Sequence, residues 1–144
     1  MNFEVVRDRS TKEVLAVVYY WMTSPIPGVR FHTQPEWPLQ LATICHPKGY
    51  KVEAHVHRPP RRVIEGTAEV LFIRSGSARI EFYGGETDDL SIRIVRGGDI
   101  VLLLSGGHSL EMLEDTDILE VKQGPYLDDK VMLGEERHGT VPGT

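Results

Sequence analysis

Glu69-Val-Leu-Phe-Ile-Arg-Ser-Gly76-Ser-Ala-Arg-Ile-Glu-Phe-Tyr83 is the stretch on which the fold turns. Apolar residues alternate with others through Leu71 and Ile73, and again through Ala78, Ile80 and Phe82. A period of two is the signature of a half-buried strand. Ser75-Gly76 between the runs reads as a two-residue turn, which would pair Ile73 with Ala78, Leu71 with Ile80 and Glu69 with Phe82. One face of this hairpin is then apolar except for Glu69. Val70 and Phe72 fall on the other face, an indication that this face too is covered.

The same punctuation runs outward in both directions. Gly (14) and Pro (9) cut the chain into short pieces rich in Val, Ile, Leu and Tyr. The predicted strands are 3–6, 14–21, 39–45, 51–57, 68–74, 78–83, 91–95, 100–104, 109–113 and 118–123, with a long Pro-rich loop over 24–38. Ser10-Thr-Lys-Glu13 matches a helix capping box. The β-branched and aromatic run that follows, Val14 to Tyr20, favours a strand instead. Short strands separated by regular turns predict an all-β sandwich or barrel with little helix. The expected organisation is one domain over 1–133 and a polar tail over 134–144 that is mobile or ordered by a partner.

Two further hairpins extend the inner face. A loop at Glu114–Asp117 would pair Met112 with Leu119, Leu110 with Val121 and His108 with Gln123, and would turn Lys122 outward. A turn at His46–Gly49 would set Ala42 opposite Glu53 and Gln40 opposite His55, with His57 on the same side. An apolar interior accepts ionisable groups only when they are paired or bind a metal. His55, His57, Glu69 and His108 are therefore candidates either for metal ligands or for a buried polar network without metal. Gln40, Gln123 and Glu53 are candidate neighbours that orient ligands or bind substrate. His32, His46 and His138 are read as solvated.

Composition narrows the function classes. The 144 residues are 40% hydrophobic and 26% charged with a formal charge of -5, which is ordinary for a globular protein and argues against a nucleic-acid partner. Cys45 is the single cysteine, so no intrachain disulfide is possible. The charged stretch Met1 to Ser10 lacks a signal-peptide pattern, and no apolar run approaches the ~20 residues of a membrane span. The expectation is a cytoplasmic protein away from membranes.

His55-Val-His57 places two imidazoles on one strand face about 7 Å apart, a separation that one ion bridges. Here the chain resembles the cupin superfamily. Gly49, His55, His57, Glu69 and Gly76 follow the first cupin motif (49–76), with Arg58 to Ala68 longer than the usual spacer. Gly98-Asp99 through Ser105-Gly-Gly-His108 resembles the second motif (98–108), with Leu104 where proline is usual and Met112 where asparagine is common. The stretch from about Leu39 to Lys130 is similar to short bacterial cupins linked to surface-polysaccharide or sugar metabolism. The resemblance implies a double-stranded β-helix, a jelly-roll-like barrel holding one divalent metal ion.

Three imidazoles and one carboxylate leave positions open for water or substrate, and suit Fe, Mn, Ni, Co or Zn. The expected function is an enzyme acting on a small polar metabolite by metal-assisted isomerisation, epimerisation or oxygenation. The alternative is a barrel that binds or senses a small ligand without turning it over. Arg61 and Arg62, with Arg58, are candidates for capturing an anion at the barrel mouth. A homodimer is expected from the apolar second face of the strand carrying Val70 and Phe72.

Overall fold

The computed structural model describes residues 3–21, 25–85 and 90–133. Its strands are β1 (Phe3–Arg7), β2 (Val14–Tyr19), β3 (Gly28–Phe31), β4 (Ala42–Cys45), β5 (Glu69–Ser75), β6 (Ser77–Tyr83), β7 (Leu90–Arg96), β8 (Ile100–Leu103), β9 (Gly107–Met112) and β10 (Asp117–Lys122). No helix occurs among the described residues, so the all-β expectation holds. The capping-box residues form a turn. Buried Asp8 accepts hydrogen bonds from Ser10 N and Thr11 N, both at 2.8 Å, which closes the connection from β1 to β2. These bonds hold the Asp8 carboxyl well below the usual carboxylate range, the Thr11 N–H contributing most.

The strands form a five-stranded sheet in the order β1-β2-β8-β5-β10, a three-stranded sheet β7-β6-β9, and a two-stranded β3-β4 pair. The arrangement is of the β-sandwich kind: β6 approaches β2 and β7 approaches β5 across the interior. Their inner faces interlock Ala16, Val18, Leu71, Ile73, Ala78, Ile80, Phe82, Val95, Val101 and Leu103 into one buried cluster. Full burial of each larger side chain contributes about 1.5–3 kcal/mol. This cluster is the platform on which the polar end of the sandwich is built.

The alternation within β5 and β6 was legible, but their pairing was not. The two strands do not form a hairpin: β5 pairs with β8 and β10, and β6 pairs with β7 and β9. At Gly76 (φ 81°) the chain turns a corner from one sheet into the other. A β-carbon there would lie 2.6 Å from Thr116 Oγ1, so the corner has no room for a side chain. Crossing sheets lets both apolar faces bury each other, which a flat hairpin cannot do. The connection at Glu114–Asp117 is the same kind of corner. It sends β9 to β6 and β10 to β5, not to each other.

The third expected hairpin is replaced by another. β4 pairs with β3, a strand that the Pro-rich composition of 24–38 concealed. Residues 51–57 hold no strand. The β3–β4 hairpin lies on the outer face of the large sheet, where the His32 ring sits 5.6 Å from Phe3 and 5.0 Å from Tyr19. Burial pushes the His32 imidazole pKa down, with help from Arg30, so His32 is a packing residue and not a solvated one. The tail expectation for 134–144, His138 included, lies outside the described residues. No helix among the described residues is long and apolar enough to cross a membrane.

Candidate functional site at the open end of the sandwich

Glu69 opens β5 on the same side as Leu71 and Ile73, so strand alternation carries its carboxylate into the interior, where it is 8% exposed. A buried carboxylate requires partners. Two arrive from different strands. β10 runs antiparallel to β5 with Lys122 directly opposite Glu69, and Lys122 Nζ lies 3.7 Å from Glu69 Oε1. From the smaller sheet, β9 sets His108 opposite Phe82, and His108 Nε2 lies 3.4 Å from Glu69 Oε2. One carboxylate thus stands between an ammonium and an imidazole at the place where the two sheets meet. Such a group can pass a proton between carboxylate and imidazole, or offer one O and one N donor to an ion.

The placement of Lys122 corrects the reading from strand parity, which turned it outward. That reading chose the face of β10 bearing Leu119 and Val121 as the inner one, because those residues are apolar. In the structure Leu119 and Val121 lie opposite Phe72 and Val70 on the outer face, and are 52% and 58% exposed. Ile118, Glu120 and Lys122 take the inner side, opposite Ile73, Leu71 and Glu69. Gln123 does not oppose His108. It follows the end of β10, and its Oε1 accepts a hydrogen bond from Ala68 N at 2.9 Å.

His55 and His57 stand elsewhere. They occupy the irregular segment 51–68, both are exposed, and their rings meet edge to face at 5.2 Å. His55 Nδ1 lies 2.8 Å from the Glu53 carbonyl oxygen. Arg58, Arg61 and Arg62 are exposed on the same segment. Gln40 does not face His55. Its amide donates to the carbonyls of Gln34 (2.9 Å) and Trp37 (3.0 Å), and so braces the loop before β4.

Among the described residues, no group of three or more His, Cys, Asp or Glu side chains gathers closely enough to hold a metal ion. The structure brings Glu69 and His108 together and leaves His55 and His57 apart from them. As placed, these residues do not fit a metal as one preassembled donor set.

Beside Lys122 a cavity of about 220 Å³ opens between the segments flanking β5 and β10, lined by Ile64, Thr67, Lys122, Gln123, Tyr126 and Asp129 among others. Its two walls are clamped by Thr67 Oγ1, which donates to Asp129 Oδ2 at 2.6 Å. That bond is the main reason the Asp129 carboxyl is held below its ordinary range. Sequence reasoning missed Thr67, Tyr126 and Asp129, because no periodic pattern marks irregular segments that meet far apart in the chain.

Compared with known proteins, the chain matches no family model, no curated protein and no solved structure.

Proposed function

We propose that this chain is a small-metabolite protein of the cupin type whose divalent-metal centre is founded on Glu69 and His108. The convergence of Glu69 Oε2 and His108 Nε2 at 3.4 Å, from strands of different sheets, is the observation that carries the reading. His55 and His57 complete the centre by moving. Lys51-Val-Glu-Ala-His-Val-His57 alternates as a strand does, and Val52 and Val56 are 65% and 91% exposed. Among the described residues β9, which bears His108, is an edge strand with no strand paired to its outer side. Addition of 51–57 to that edge satisfies both segments. Coupling of this step to metal binding is the ordinary behaviour of sites whose ligands are not preassembled.

A bound divalent ion supplies a Lewis acid to a carbonyl or hydroxyl of the substrate, the chemistry of isomerisation, epimerisation or, with iron, oxygenation. Elemental analysis of protein purified without added metal tests the reading, repeated for His57→Ala and His108→Ala. The expected result is about one ion per chain in the parent and loss of metal in both variants. A metal-free parent, or metal retained in both variants, overturns it.

A second reading rests on Lys122. With its ammonium 3.7 Å from Glu69, the carboxylate already has a resident cation, which favours a metal-free barrel that binds or senses a small ligand. Lys122→Met separates the two: it raises metal affinity if Lys122 competes with an ion for Glu69, and leaves metal content at zero if the barrel is metal-free.

A further inference from the structure

Two elements of the chain carry apolar residues on the side turned away from its own core. The first is the β3–β4 hairpin. Its register sets Val29 opposite Ile44 and Phe31 opposite Ala42, so these four share one face. The other face, where Thr43 Oγ1 lies 3.1 Å from His32 Nε2, is the one laid on Phe3 and Tyr19 of the large sheet. Val29, Phe31 and Ile44 are each more than half exposed. A hairpin that served only to cover the sheet would carry the reverse pattern. The second element is the β5–β10 end of the same outer sheet face. One cross-strand row of that face runs Val17, Leu102, Val70, Val121. The chain buries the row completely at Val17 and Leu102, and leaves Val121 and its neighbour Leu119 more than half exposed. The cover stops in mid-face, although the apolar row does not. Arg74 and Asp117, paired at 3.0 Å, give this patch a polar rim.

We propose that these two patches form one interface between copies of this chain: in a two-fold dimer the hairpin of each copy lies on the β5–β10 face of the other. A ribbon with an apolar outer side packs on a flat apolar sheet as the layers of a sandwich pack on each other. The reciprocal contact closes on itself, since each patch meets its complement and neither is left free. Val29, Phe31, Ile44, Leu119 and Val121 together expose on the order of 500 Å², the size at which an apolar patch marks an interaction site. Two copies bury about 1,000 Å² through these residues alone, which reaches the size of a specific interface. Singly exposed apolar residues need no partner, but two whole faces do. The interface uses the sheet face opposite to the one that bears Glu69, so it stands apart from the proposed metal centre.

Mass measured by multi-angle light scattering on the whole chain, with a chelator present, tests the arrangement through two charge variants at exposed positions, Ile44→Lys on the hairpin and Leu119→Glu on β10. The expected result is a mass of two chains for the parent at low micromolar concentration and of one chain for each variant. An equimolar mixture of the variants should return to two chains, because one contact then joins the introduced charges, opposite in sign, and the other contact is unaltered. A parent of one chain throughout the micromolar range overturns the proposal, as does a two-chain mass in either variant. A mixture that stays at one chain overturns the reciprocal geometry, since hairpin-to-hairpin and sheet-to-sheet contacts would each keep one charge against an apolar patch. A mass that climbs beyond two chains with concentration overturns closure. Should either variant fail to fold, Val29→Lys or Val121→Glu takes its place.

Discussion

Glu69 and His108 stand on strands that pack on the core, through Leu71 and Ile73 in β5 and through Leu110 in β9, whereas His55 and His57 stand on a segment of 18 residues, 51–68, that contains no strand. The four share residue types suited to one ion, but differ in what positions them. Behind Glu69 are Leu71 and Ile73, and beside His108 is Phe82, all at most 5% exposed. Behind His55 and His57 are Val52 and Val56, facing solvent. A side chain is held by the packing of its neighbours, so the first pair is placed by the fold itself and the second waits for something to bind.

The sharpest way to break this comparison is to excavate each region in turn. Phe82→Ala removes a fully buried ring beside His108 and is expected to lower stability by about 3–5 kcal/mol. Val56→Ala is expected to stay within about 0.5 kcal/mol. Urea denaturation of both variants measures the contrast, and a comparable loss in Val56→Ala would mean that 51–57 already belongs to the packed structure.

A smaller effect is expected at the junction of Lys122 and Glu69. Their side chains are 23% and 11% exposed, so solvent screens the pair only in part. Lys122→Met removes the ammonium from Glu69 and leaves it His108 among the described residues, and is expected to cost about 1–2 kcal/mol. The double variant Lys122→Met, Glu69→Leu should recover most of the loss, since an apolar pair needs no compensation. Failure of the recovery would show that Glu69 is held by more than Lys122.

The smallest effect concerns the clamp between the two regions. The Asp129 carboxyl is held below its ordinary range, first by the Thr67 hydroxyl, so its ionised form favours the closed structure. A lowered pKa contributes stability that is present above the unfolded value near 3.8 and is lost as pH falls through the folded value. The clamp should therefore hold at neutral pH and release only in acid. Hydrogen exchange at Ala68, whose N–H is bonded to Gln123 Oε1 next to the clamp, reads this: protection is expected to fall below about pH 4 in the parent, and to be low at every pH in Thr67→Val. A pH-independent pattern in the parent would remove Asp129 from the clamp.

Parity was legible wherever one strand face is purely apolar. Leu71 and Ile73, and likewise Ala78, Ile80 and Phe82, point inward as alternation requires, and Glu69 follows them. It misled at β10, where both faces carry apolar residues and the more apolar one, Leu119 with Val121, lies outside. β3 escaped notice for a different reason: the prolines around it mask a strand of four residues that gains its stability from β4.

By itself the sequence determined that this is an all-β chain, that Gly76 marks a break between strands, and that Glu69 turns inward. Each of these follows from local sterics and a two-residue period, which act over a few neighbouring residues. Only the tertiary structure decided that consecutive strands part at Gly76 and at Glu114–Asp117 to join opposite sheets. That choice depends on which apolar faces can bury each other, a property of the whole chain. It brings Lys122 instead of Phe82 to Glu69, gathers His108 from the other sheet, and opens the cavity at Gln123 that no local pattern foretold.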